Sequence, residues 1–110
     1  MLTYLACPYS HPDAAVRQYR FEQVNAVAAE LIRNGHIIFS PISHSHFIST
    51  DHGLSCDWEF WKAQDEVFVT LSSRVIVLML DGWKESVGVS AEIALAKQLR
   101  LPIEYREVAQ

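Results

Sequence analysis

Residues Asp81 to Glu92, Asp-Gly-Trp-Lys-Glu-Ser-Val-Gly-Val-Ser-Ala-Glu, join an apolar run, Val75 to Leu80, to a helical pattern, Ile93 to Leu99. The run is short, β-branched at its start and followed by turn residues, which predicts a buried strand. Ile93–Leu99 is rich in good helix formers, so the joining segment is a polar, glycine-containing loop that runs into a helix. In open α/β folds, ligands sit in the crevice beyond the carboxyl ends of the strands, and Glu92 stands there. A carboxylate so placed can attack a bound ligand or exchange a proton with it. The plainer alternative is a solvated side chain favoured by the helix dipole. A second group suggests different chemistry. His44, His46 and His52, with Asp57 close behind, could supply Zn ligands. Their spacing matches no closed ligand motif, so neither a metal nor a cofactor is expected. Contact with a substrate or a neighbouring subunit is the preferred reading of these histidines.

The elements that must position these groups follow from periodicity. Leu2–Ala6 is a short strand, and Cys7–Pro12 is the loop that leaves it. From Asp13 to about Asn34, Val16, Phe21, Val24, Val27, Ala28, Leu31 and Ile32 recur at three- and four-residue spacing, which predicts a helix with one buried stripe. Asn34-Gly35 ends it, with Gly just past the last turn. His36–Ser40 is a second strand. Pro41–Ser55 reads as a polar, irregular loop, long enough in a small domain to suggest function or mobility. Helical spacing returns from Asp57 to Leu71, and Leu101–Tyr105 adds a fourth strand with Pro102 at its beginning. Strands alternating with helices imply a parallel sheet covered on both faces. The expected fold is a three-layer α/β/α sandwich of about four strands, flavodoxin- or Rossmann-like, with residues 1–110 forming one domain.

Composition narrows the function classes. The formal charge of -4 and the scattered Lys and Arg argue against a nucleic-acid polymer as partner. Cys7 and Cys56 share no CxxC spacing and make no disulfide framework, so reduced thiols in a cytoplasmic protein are expected. Leu5-Ala6-Cys7 lacks the preceding segments of a lipoprotein signal, and no apolar stretch approaches the ~20 residues that span a membrane. No membrane partner is expected.

Tyr4-Leu5-Ala6-Cys7-Pro8-Tyr9, Asp65 on the middle helix, and Ser86-Val87-Gly88-Val89-Ser90-Ala91-Glu92 resemble the nucleoside 2-deoxyribosyltransferase superfamily. That group includes 2'-deoxynucleoside 5'-phosphate N-hydrolases, and the chain looks closest to a small bacterial branch. The likeness in order and spacing runs from Tyr4 to about Pro102. It implies that Glu92 is a nucleophile, that Asp65 assists the leaving base, and that Ser86, with Gly88, contacts the sugar or its 5'-phosphate. The first loop, however, lacks the Gly-Ser-rich character of the phosphate-dependent hydrolases. The resemblance also implies sites completed by a neighbouring subunit, hence a homo-oligomer.

Cleaving an N-glycosidic bond builds positive charge at the anomeric carbon. One carboxylate can trap that carbon covalently while a second acidic group helps the base depart. Such a pair needs environments that separate its two pKa values, and the helix dipole favours Glu92 as the ionised partner. Tyr9 and Arg17, at and after the first strand's exit, are candidates to contact the ligand, and Trp83, beside Glu92 in sequence, is the candidate to meet a base. Their ordinary alternatives are a surface tyrosine, a solvated helix arginine and a packing indole; Trp58 and Trp61 are read as packing. Asp65 could equally lie on an exposed polar helix face, and Ser86 could be only an N-cap. The expected function is cleavage or transfer of the N-glycosidic bond of a (deoxy)nucleoside or its 5'-monophosphate. The alternatives are a non-catalytic nucleotide-binding module on the same fold and a metal-dependent hydrolase.

Overall fold

A computed structural model describes residues 1–108 of the chain. In order, these form β1 (Leu2–Ala6), α1 (Ala14–Arg33), β2 (Ile37–Phe39), α2 (Pro41–His52), α3 (Trp58–Leu71), β3 (Arg74–Met79), α4 (Val87–Gln98) and β4 (Ile103–Glu107). All strand pairs are parallel, and the spatial order is β2-β1-β3-β4. The chain leaves β1 for β2 on one side and resumes at β3 on the other. The direction of winding therefore switches between β1 and β3, and the crevice beyond their carboxyl ends is where such sheets hold ligands.

Alternation along the two central strands divides the core. Leu5, Ile76, Leu78 and Leu80 pack with Phe21, Val24, Val27, Ala28 and Leu31 of α1 and with Ile42 of α2. Tyr4, Ala6, Val75 and Val77 pack with Val69 of α3 and with Val89 and Ala96 of α4. A period of two sends neighbouring side chains to opposite faces, and burial on both faces explains why the strands read as nearly continuous apolar runs. The three-layer α/β/α fold expected from the sequence is the one observed. Among the described residues, no helix is long and apolar enough to cross a membrane.

One element differs from expectation. Pro41–His52, read as an irregular loop, is the helix α2. Pro41 sits in its first turn, Ser40 accepts a hydrogen bond from the backbone N–H of Ser43, and Gly53 ends it in the left-handed region at φ 66. Its buried residues are Pro41, Ile42, His46 and Ser49; the last three follow helical spacing, but two of the four are polar. Hydropathy therefore hid the periodicity that tertiary burial obeys.

The loops after β1 and β3 are strapped together by Arg20 of α1. Its guanidinium donates to the Ser10 carbonyl and to the Asp81 carbonyl, each at 3.1 Å. Gly82 makes room for the strap: its φ is 90, and a Cβ there would lie 2.6 Å from Arg20 Nη2. Gly82→Ala should therefore lower stability by about 1 kcal/mol or more, read as a reduced urea midpoint at unchanged m-value.

Candidate active site

Beyond the carboxyl ends of β1 and β3 lies a cavity of about 420 Å³, walled by the loops after both strands, by α2 and α3, and by the start of α4. Glu92 and Asp65 both line it, and both are buried, at 4% and 8% exposed. Asp65 projects from α3 and Glu92 from the second turn of α4, two helices packed side by side on one face of the sheet. Tyr4, fully buried in β1, donates its hydroxyl hydrogen to Glu92 Oε2. That bond fixes one carboxyl oxygen against the sheet. Asp65 has no such anchor, since its buried Oδ1 lacks a hydrogen-bond partner among the described residues. An unpaired buried acceptor costs about 1–3 kcal/mol, and a donor group on a ligand would relieve it.

Burial controls the ionisation of the pair. It pushes Glu92 up from 4.5 to about 8; the Tyr4 hydrogen bond opposes that rise and the charge of Asp65 adds to it. Burial likewise pushes Asp65 up from 3.8 to about 6. Tyr4 is raised as well, by its burial and by the two carboxylates. The sequence-based expectation that the helix dipole keeps Glu92 ionised is thus reversed by burial. A dipole worth ~0.3–1 kcal/mol near a solvated helix end is outweighed by the desolvation of a fully buried carboxylate. Between the two pKa values the carboxyl pair holds one proton, and that proton favours Glu92.

The rest of the wall is mixed. Ser86 caps α4, its hydroxyl accepting from the Val89 N–H at 3.1 Å, and it also lines the cavity, so the capping and ligand-facing readings coexist. Gly88 lines the cavity beside Trp58; a Cβ on it would stand 3.4 Å from that ring. Trp61 closes another part of the wall, its indole N–H bound to the Ser55 carbonyl at 2.6 Å. Tyr9 lines the cavity with its hydroxyl 2.7 Å from His46 Nδ1. Cys7 lies in the wall too, but burial pushes its thiol up, so it offers no thiolate.

Of the residues singled out in the sequence, Glu92, Asp65, Ser86, Gly88 and Tyr9 meet at this cavity; Arg17 and Trp83 are not among its lining residues. Arg17 donates to the His11 carbonyl. Trp83 packs on the α3/α4 side of the sheet beside Tyr105, ring centroids 5.7 Å apart, with Lys84 over its ring. It follows the tight turn at Gly82, where the Trp83 N–H bonds to the Leu80 carbonyl, and it packs against the cluster that holds Val89 and Ala96 of α4. Trp58 and Trp61, read as packing residues, take the cavity position instead. His44, His46 and His52 lie along α2 and do not converge; among the described residues, no group of three His, Cys, Asp or Glu side chains is placed to hold a metal.

The sequence reading passed over Tyr4 as a site residue. A tyrosine in the interior of a strand buried on both faces must find a partner for its hydroxyl. That requirement was the available signal, and the partner is Glu92.

A family model described as a domain of unknown function, DUF1937, matches residues 1–107. No curated protein matches the chain.

Proposed function

We propose that the chain, which belongs to the DUF1937 family, cleaves or transfers the N-glycosidic bond of a (deoxy)nucleoside through a covalent intermediate on Glu92. The observation that carries this reading is the buried pair Glu92 and Asp65 in one cavity at the sheet's switch point, with Tyr4 holding Glu92 in place. In the attack, a Glu92 carboxylate oxygen bonds to the anomeric carbon while the carbon–nitrogen bond breaks. The bonding electrons leave with the base, and Asp65 supplies the proton that neutralises it. The proton that burial favours on Glu92 must first pass to Asp65, where the departing base needs it. Positive charge developing at the anomeric carbon favours that transfer, because it stabilises an ionised Glu92. Water then releases the sugar, or a second base accepts it. Trp58 and Trp61 offer aromatic surface for a planar base.

Charge selects the phosphate state. Asp57, Glu59, Asp65, Glu85 and Glu92 line the cavity, with no Lys or Arg among its lining residues. Ser86 already satisfies one N–H at the start of α4, and Glu85 beside it repels an anion. An uncharged nucleoside therefore suits the site better than its 5'-monophosphate. Assaying base release from deoxynucleosides and their monophosphates tests both points. Release from at least one nucleoside is expected, at a kcat/KM ~10-fold or more above that of its monophosphate. Tight binding without any release would favour the nucleotide-binding module.

Assembly is part of the same reading. Phe60, Val67 and Leu71 are exposed along α3 at seven- and four-residue spacing, an apolar stripe that a second copy of the chain would cover. We read the protein as a cytoplasmic homo-oligomer. Light scattering at micromolar concentration should give a mass of at least two chains, and the mass of one chain would refute this.

A further inference from the structure

Four side chains fix the hydrogen-bond polarity of the cavity wall at Tyr9. Gln18 donates its amide Nε2 to Glu22 Oε2 at 3.1 Å, which leaves its Oε1 facing His46 Nε2 at 3.0 Å. An amide oxygen only accepts, so the His46 proton sits on Nε2. A neutral imidazole has one donor and one acceptor. His46 Nδ1, 2.7 Å from the Tyr9 hydroxyl, therefore accepts, and Tyr9 donates. The ring is held in place by stacking on Phe21, centroids 4.0 Å apart at 17°, and is buried at 3% exposed. Burial first, then the charge of Arg17, lowers the His46 pKa against an opposing pull from Asp51, which keeps the ring neutral near pH 7. Tyr9 thus spends its only proton on His46, and what its oxygen can still offer a ligand is a lone pair.

We propose that Gln18 and His46 are positioning residues that make Tyr9 an acceptor-only contact. On this account, Tyr9 selects ligands that present an N–H or O–H donor to this wall and rejects isosteres that present an acceptor. The proposal rests on the reading of the cavity as a nucleoside site and names a feature its ligand must have. Nucleosides carry such donors on exocyclic amines and sugar hydroxyls. Losing the matched donor should weaken binding by roughly 10-fold, the scale of one hydrogen bond.

Nitrogen-15 spectra of His46 in the free protein test the relay without reference to activity. Wild type should show a protonated Nε2 and a bare Nδ1. Gln18→Leu should let the Nδ1–H tautomer appear, while Gln18→Glu, which keeps an acceptor oxygen, should restore the wild-type pattern. Binding is then measured for 2'-deoxyadenosine and for its analogues lacking in turn the 6-amino group, the 3'-hydroxyl and the 5'-hydroxyl, on wild type and on Tyr9→Phe. One deletion should weaken binding to wild type by roughly 10-fold yet cost nothing further in Tyr9→Phe. A bare Nε2 in wild type overturns the proposal, as does a set of deletion penalties that Tyr9→Phe leaves unchanged. If none of the probes binds, the nucleoside reading fails, while the spectra still decide the relay.

Discussion

Glu92→Gln is expected to leave the fold intact and to reduce base release by at least ~1,000-fold, about 4 kcal/mol of barrier. The amide keeps the size of the side chain and still accepts the hydrogen bond from Tyr4, so the cavity should hold its shape. What disappears is the oxygen able to carry negative charge and bond to the anomeric carbon. Asp65→Asn should be milder for substrates whose leaving bases need no proton and as severe for those that do, because its assigned task is proton delivery. A working pair must hold one proton. In wild type kcat/KM should therefore be bell-shaped, rising near the Asp65 value of about 6 and falling near the Glu92 value of about 8, the two limbs belonging to the pair. The assay compares wild type and both variants over one nucleoside panel. A Glu92→Gln protein that retains more than about a tenth of the wild-type rate would remove Glu92 as the nucleophile.

The same burial predicts an unusual dependence of stability on pH. The Glu92 carboxyl is raised in the folded state from 4.5 to about 8, so between those values the folded chain binds more protons than the unfolded one. Stability is then fully present below the unfolded pKa and is lost as pH rises through the folded pKa. Asp65, raised from 3.8 to about 6, acts in the same direction over a lower window. The loss from Glu92 should be on the order of several kcal/mol by about pH 8.5. Glu92→Gln cannot ionise and should escape it. Thermal melts should show the two proteins nearly equal at about pH 5, with the variant melting ~5 °C or more above wild type at about pH 8.5. Equal melting temperatures across that range would mean that Glu92 is solvated or neutralised in the fold.

What could be read from the sequence was set by how each element is stabilised. The helices α1 and α3 were legible because their apolar side chains recur with helical spacing, α4 because it is rich in good helix formers, and the strands because burial on both faces makes them short apolar runs. α2 was not, because its buried stripe holds His46 and Ser49, and its capping signals at Ser40, Pro41 and Gly53 sit in a polar stretch that resembles a loop. In the site, the position of Glu92 was legible because the strand, loop and helix carrying it are contiguous in sequence, whereas Ser86 and Gly88 entered through the resemblance. Tyr9 was legible too, since it lies at the exit of β1. Asp65 came through the resemblance as well. Trp83 was placed at the ligand from its loop position alone, whereas its ring packs against the α3/α4-side cluster beside Tyr105. The ionisation of Glu92 was read in the wrong direction because the dipole argument presumes a solvated helix end, whereas the side chain is 4% exposed. The Tyr4–Glu92 bond joins residues 88 positions apart and no local pattern encodes it.

Intact-mass spectrometry of protein quenched during turnover of a nucleoside carrying a 2'-fluoro substituent tests the central claim most directly. Fluorine beside the anomeric carbon destabilises positive charge there and slows the loss of a covalent intermediate, so the adduct should accumulate. The account predicts wild-type protein heavier by one glycosyl group, with the added mass mapping to the peptide that contains Glu92, and no such species in Glu92→Gln. Base released by wild type with no glycosylated Glu92 at any quench time, or an adduct mapping to another residue, would contradict it.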